Sequence, residues 1–319
     1  MNAVRRKVRA ALLSVISNTA LVILKMIVGL SIGSVSIISE AVHSLSDLLA
    51  ALVAFFSVRK SSQPADAKHP FGHGKIENIS GTIEALLIFL AAAWIIWEAI
   101  NRLIHPRAIE TLGWGMGVML VSTLVNLAIS EMLFKVGRET DSVALEADAW
   151  HLRTDVYTSA GVMLSLALIW VGEKVFPGRH LHWLDPAAAI AVALLIIKAA
   201  YELTVKSSRD LMDARLPAEE EAWIGDLIRE DRYNIHGFHD LRTRKAGGFR
   251  FVEFHMKVDP EMTVEDSHAI TEQLSARIEE HFPGTNITIH TEPCDGKCVQ
   301  KCLNGCLLPV KGDTGSEDK

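Results

Sequence analysis

Two short runs carry side chains able to hold a metal ion: Ser39-Glu40-Ala41-Val42-His43-Ser44-Leu45-Ser46-Asp47, and Asp148-Ala149-Trp150-His151-Leu152-Arg153-Thr154-Asp155. Each places a histidine four residues before an aspartate. On a helix, positions i and i+4 share a face, so each run presents one imidazole and one carboxylate together. Two such helices facing each other would supply His43, Asp47, His151 and Asp155 to one ion. That donor set suits a tetrahedral, borderline-soft cation, with Zn2+ the best fit. Binding requires neutral imidazoles and ionised carboxylates, so protons compete with the metal at the same atoms. Histidine titrates near neutrality, which makes it a natural carrier of the counter-ion, the proton.

Both runs lie inside long apolar stretches. Residues 10–32, 36–58, 80–104, 112–136, 143–172 and 184–206 each approach the roughly 20 apolar residues that cross a bilayer. Each His-Asp pair begins about eight residues into its span, which predicts similar depth. Charge at membrane depth is costly, so such groups are functional candidates by default. Asn18, Glu40, Glu84, Asn126, Glu131, Glu146, Asp148, Arg153 and Lys198 also fall in the spans and read as mainly structural. Arg153 calls for an acidic partner, with Glu40 or Glu146 the candidates, and Asp148 could support His151 from one turn away. Basic residues concentrate at Arg5, Arg6, Lys7 and Arg9, at Arg59, Lys60, Lys68 and Lys75, at Lys135 and Arg138, and at Lys206 and Arg209. The opposite loops carry chiefly Arg107, Lys174 and Arg179. This bias puts both termini in the cytoplasm of a multi-pass plasma- or inner-membrane protein, with no cleaved signal peptide expected.

Through Leu216 basic and acidic residues nearly balance, whereas from Pro217 to Glu292 acidic side chains outnumber basic ones two to one. This acidic segment suits cations and excludes nucleic acid as a partner. Its pattern predicts helix 217–232, strand 237–245, a turn at Gly247-Gly248, strand 249–258, helix 263–282 and strand 286–291. Alternation in Phe249-Arg250-Phe251-Val252-Glu253-Phe254-His255-Met256 marks a strand, and Thr263 before Glu265 and Asp266 marks a helix start. His290 and Glu292 end a strand on one face. The fold class is therefore an α-helical membrane protein with six transmembrane helices, followed by a small cytoplasmic α/β domain of αββαβ order. Domain bounds are expected at 1–9, 10–208, 209–292 and 293–319. The last segment holds all the cysteines, Cys294, Cys298, Cys302 and Cys306, at a strict period of four that would form one stripe on a helix. In a reducing compartment these thiols suit a soft metal or a redox role; the alternative is a disordered tail with incidental cysteines, and 307–319 read as disordered.

The two membrane pairs, the loop Gln63-Pro64-Ala65-Asp66-Ala67-Lys68-His69-Pro70-Phe71-Gly72-His73-Gly74-Lys75-Ile76-Glu77 and the acidic terminal domain together resemble the cation diffusion facilitator family, over about residues 8–293. The resemblance implies a homodimeric exporter that exchanges cytoplasmic metal for protons, with His43, Asp47, His151 and Asp155 as the pattern of its zinc-transporting branch. It implies a second metal site at Asp66, His69 and His73, where the alternative is a solvated loop whose histidines only hydrogen-bond. It also implies metal sites in a metallochaperone-like, dimerising domain at His239, His255, His268, His290 and Glu292, with Glu292 standing where the family usually has aspartate. His236 lies near enough to substitute, while His105, His180, His182 and His281 read as surface residues.

Other readings are export of Fe2+, Co2+, Ni2+ or Cd2+ on the same scaffold, and a membrane metal sensor that does not transport. A sensor has no use for ligands at mid-bilayer. An enzyme is disfavoured, because neither a His-Glu-x-x-His motif nor a Ser, His and Asp hydrolytic arrangement is present.

Overall fold

The computed structural model describes residues 2–33, 35–105, 114–175, 183–296 and 304–308. Two compact units divide the chain at Leu211. The first is built from α1 (Asn2–Ile32), α2 (Val35–Ser61), α3 (Lys75–Ile104), α4 (Trp114–Glu139), α5 (Val143–Val175) and α6 (Leu184–Leu211). All except α5 are long and apolar enough among the described residues to cross a membrane. The exception, α5, carries Glu146, Asp148, Arg153 and Asp155 in its first half.

The packing explains how α5 tolerates that charge. Its Ala144, Leu145, Ala149 and Leu152 belong to a buried cluster with Ala10, Ala11, Val58 and Leu133. Its Val143 and Ala147 belong to another with Ala85, Ile88, Ala92, Ile196 and Ala200. The helix is therefore lined by protein on both sides, where ionisable groups find partners. Small residues at these contacts let the backbones approach closely. Large apolar side chains such as Ile27, Leu30, Leu86, Leu90 and Leu195 face outward, the surface a lipid environment covers. Near the ends of these helices, buried Glu77 accepts hydrogen bonds from Lys7 Nζ at 3.2 Å, Ser61 Oγ at 2.7 Å and the hydroxyl of Ser142. One carboxylate thus ties α1, α2, α3 and the residue preceding α5.

The second unit runs α7 (Ala218–Glu230), β1 (Gly237–Ala246), β2 (Phe249–Val258), α8 (Val264–His281) and β3 (Thr285–Pro293). The sheet order is β1-β2-β3, with β1 antiparallel and β3 parallel to β2. Ala246 pairs with Phe249, leaving Gly247-Gly248 as a two-residue turn, and Gly247 has φ +58°, the left-handed conformation such hairpins need. The side chain of Thr263 accepts from the Asp266 amide at 3.1 Å and starts α8. Ile270, Leu274 and Ile278 recur at one face of α8 and join Ile224, Ile228, Val252, Phe254 and Met256 in one core.

Residues 304–308, part of a segment read from the sequence as partly disordered, are ordered against the sheet. Gly305 accepts from the Phe238 amide at 3.0 Å, Leu307 donates to His236 O at 2.9 Å, and Cys306 bridges Gly237 in antiparallel fashion. Residues 304–308 thus lie along the edge of β1, and Leu307 packs on the core. Gly305 is required there: a Cβ would stand 1.7 Å from the Phe238 carbonyl oxygen.

Candidate metal centres

Inside the helical unit the two His-Asp pairs meet crosswise. His43 Nε2 lies 3.8 Å from Asp155 Oδ1, and His151 Nε2 lies 3.2 Å from Asp47 Oδ1. Histidine precedes aspartate on both helices, so this crossing follows from α2 and α5 running antiparallel. Because the two pairs touch, they share one depth within the bundle. The ligand atoms of His43, Asp47 and Asp155 all lie within 4.8 Å of one another, with His151 attached through Asp47. Asp47 is 3% exposed. A cavity of about 360 Å3 opens onto His43, Asp47 and Asp155 and continues toward Glu98, Arg102 and Asp185.

Several surrounding groups differ from their expected roles. Arg153 pairs with Glu131 at 2.6 Å, not with Glu40 or Glu146. Glu146 is taken by Lys206 at 2.6 Å. Asp148 is fully buried with both carboxylate oxygens lacking a hydrogen-bond partner, so it does not hold the His151 ring. Asn126, read from sequence as structural, donates from Nδ2 to Asp155 Oδ2 at 3.4 Å and lines the cavity. Lys25 went unremarked in the sequence because a single cation hardly disturbs an apolar run. It is 6% exposed and reaches Ser44 Oγ at 2.8 Å and Glu40 Oε2 at 3.3 Å.

In the loop between α2 and α3, Asp66, His69 and His73 converge to within 4.8 Å. The amides of His69 and Lys68 donate to Asp66 Oδ1 at 2.7 and 2.9 Å. These contacts, the His69 amide foremost, hold the Asp66 carboxyl below its usual range and keep it ionised. His69 Nδ1 lies 3.0 Å from Asp66 Oδ1 and His73 Nε2 3.3 Å from Asp66 Oδ2. His73 is 5% exposed and neither ring nitrogen makes a hydrogen bond.

In the α/β unit the strand register builds the third centre. His239 sits opposite His255, and His255 opposite His290, so three imidazoles stand abreast across the sheet. Glu292 caps them, with His255 Nδ1 at 2.7 Å, His239 Nε2 at 3.3 Å and His290 Nε2 at 3.7 Å. Lys257, which sequence reasoning missed although it pairs with Glu292 in the ladder, holds the same carboxylate at 2.6 Å. The Lys257 contact, then that of His255, draws Glu292 down to about 2. His239, His255 and Glu292 form a possible ligand group, while His268 is exposed on α8 outside it. His236 has an unpartnered Nδ1 and likewise stays outside. Cys294 and Cys306 are free thiols, one directly after β3 and the other in the bridge to Gly237, so the expected helical stripe does not present them. Cys298 and Cys302, with Arg107, Arg179, His180 and His182, lie outside the described residues.

Six helices with two His-Asp pairs meeting inside the bundle, followed by a small α/β unit with its own imidazole cluster, fit a membrane transporter of metal cations. Comparison with known proteins gives the same class. Residues 11–212 match the cation efflux transmembrane domain and residues 216–294 the cation efflux protein cytoplasmic domain. The chain is 31% identical over 286 residues to the cation-efflux pump FieF of Salmonella schwarzengrund, covering 90% of this chain and 92% of the pump. It is 35% identical over 264 residues to the uncharacterized transporter sll1263 of Synechocystis, covering 82% and 83% of the two chains. A solved metal-bound C-terminal domain of the CzcD transporter from Thermotoga maritima matches with TM-score 0.22 and 28% identity, over 24% of this chain and 94% of that one. The protein belongs to the cation efflux, or cation diffusion facilitator, family, whose members move divalent metal ions out across a membrane.

Proposed function

We propose that the protein exports Zn2+ from the cytoplasm in exchange for protons, as a homodimer in the plasma or inner membrane with both termini cytoplasmic. The observation that carries this reading is the crossed pairing of His43 with Asp155 and of His151 with Asp47 beside an open cavity. Each imidazole already lies beside a carboxylate oxygen, so little rearrangement brings two nitrogens and two oxygens onto one ion. The donor set favours zinc over harder ions such as Mn2+, which prefer oxygen. Protons arriving at the imidazoles weaken the metal's hold and promote its release on the far side. The basic side chains in the last turns of α2, α4 and α6 support a cytoplasmic location for those helix ends.

The loop centre at Asp66, His69 and His73 would then collect metal at the cytoplasmic surface. The centre at His239, His255, His290 and Glu292 would sense it, with His268 added only if a second subunit brings it close. Fe2+, Co2+, Ni2+ and Cd2+ remain the competing cargoes, because nitrogen and oxygen donors accept them too. The test is metal uptake into proteoliposomes across an imposed proton gradient, wild type against Asp47→Ala and Asp155→Ala. Export predicts zinc flux in the wild type, its loss in both variants, and its fall when the gradient is collapsed. Binding without flux would leave a sensor instead.

A further inference from the structure

The described lining of the transport cavity holds carboxylates at Glu40, Asp47, Glu98, Asp155 and Asp185 against cations at Lys25 and Arg102. Arg102 serves one end, 2.9 Å from Glu98 and 3.7 Å from Asp185. Lys25 serves the other. Its stem lies in the apolar body of α1, and its ammonium is fixed by Ser44 Oγ at 2.8 Å and Glu40 Oε2 at 3.3 Å. Glu40 and Ser44 flank His43 on α2, and Glu40, His43 and Asp47 fall on one helix face. The Glu40 side chain is 43% exposed toward the cavity, whereas that of Lys25 is 7% exposed.

The charge count at this end is informative. Asp47 and Asp155 offer two negative charges, which match a divalent ion. Glu40 would make a third, one helical turn from His43, and Lys25 cancels it. Without that cancellation, a bound ion would meet three carboxylates and two imidazoles. Such a site binds more tightly, releases more slowly and suits harder, higher-coordinate ions better.

We propose that Lys25 is a positioning residue that determines specificity: by holding Glu40 against α1, it keeps a third carboxylate out of the coordination sphere of the transported ion. The proposal rests on the transport site at His43, Asp47, His151 and Asp155. Lys25 does not touch the ion; it acts through Glu40. The full-length transporter needs this restraint to keep both its preference for zinc and its turnover.

The experiment compares zinc and manganese flux and binding in proteoliposomes of the full chain, for wild type, Lys25→Gln, Glu40→Gln and the double variant. Lys25→Gln is expected to bind zinc more tightly, turn it over about tenfold more slowly and raise the manganese-to-zinc ratio by about tenfold, the scale of one uncompensated charge nearby. Glu40→Gln, which leaves the Lys25 ammonium uncompensated, should bind zinc more weakly without raising the manganese-to-zinc ratio, and the double variant should recover most of the wild-type flux and ratio. A merely structural lysine would not move the ion ratio, and removing Glu40 would not rescue it. Wild-type behaviour in Lys25→Gln, or a double variant as impaired as Lys25→Gln, overturns the proposal. So does tighter zinc binding or a raised manganese-to-zinc ratio in Glu40→Gln, an outcome readable even if Lys25→Gln fails to fold. Absence of zinc flux in the wild type, or its persistence in Asp47→Ala, would instead overturn the transport reading itself.

Discussion

Replacing Lys257 with methionine should make the α/β unit bind metal more tightly. Lys257 Nζ sits 2.6 Å from Glu292 Oε2, on the carboxylate that also touches His239 and His255. An incoming divalent ion must displace that ammonium and endure its repulsion. Both groups are partly exposed, with side chains 18% and 23% accessible, so the contact is screened. A charge-assisted hydrogen bond in that setting contributes about 1–2 kcal/mol, which corresponds to about 5–30-fold in Kd. Methionine keeps the length of the stem that packs beside the strand while removing the charge. Metal titration of residues 212–319 against a competing chelator measures the change, and this unit carries its own core. An unchanged or weaker affinity in Lys257→Met would refute the idea that the lysine is a competitor at the site. The acid response carries a sign as well. Glu292 has its carboxyl held at about 2, below its ordinary value of 4.5, so it stabilises the fold above that ordinary value. The contribution is lost as pH falls through about 2, and a shallow loss between 4.5 and 2 is the expected signature.

In the loop, Asp66→Ala removes the carboxylate touching both imidazoles and should weaken metal binding there by about 10–100-fold. Measuring it in an Asp47→Ala background separates it from the membrane site, and unchanged binding would count against a loop centre. Gly305→Ala places a methyl where the Phe238 carbonyl stands, so the segment carrying Leu307 should detach from β1. The expected cost is about 1–2 kcal/mol, seen as a drop of about 5–15 °C in the Tm of the α/β unit. A melting curve that does not move would show that the docked segment contributes nothing.

The elements were legible because each leaves a periodic mark. Apolar runs located the helices, and alternation in Phe249–Met256 located β2. The i, i+4 spacing of His43 with Asp47 and of His151 with Asp155 put each pair on one face. Which partner each residue meets was not legible, because it depends on helix direction: only antiparallel α2 and α5 cross His43 to Asp155. Arg153 could not be assigned to Glu131 from spacing, since α4 and α5 meet through tertiary packing. Lys257 was hidden for a similar reason. Its tie to Glu292 exists only in the parallel register of β2 and β3, and nothing local in either strand announces that register. Lys25 could have been found by treating every charge in an apolar run as a question.

The docking of Gly305 and Leu307 on β1 has a consequence for how this domain keeps to itself. A sheet that ends on β1 would offer an open row of amides and carbonyls, a template onto which a strand from a neighbouring molecule could zip. Here the chain covers part of that row with its own terminal residues, near His236 and Phe238. A protein shortened to end at Pro293 would keep its core yet bare this margin, and self-association through it is the hazard to expect.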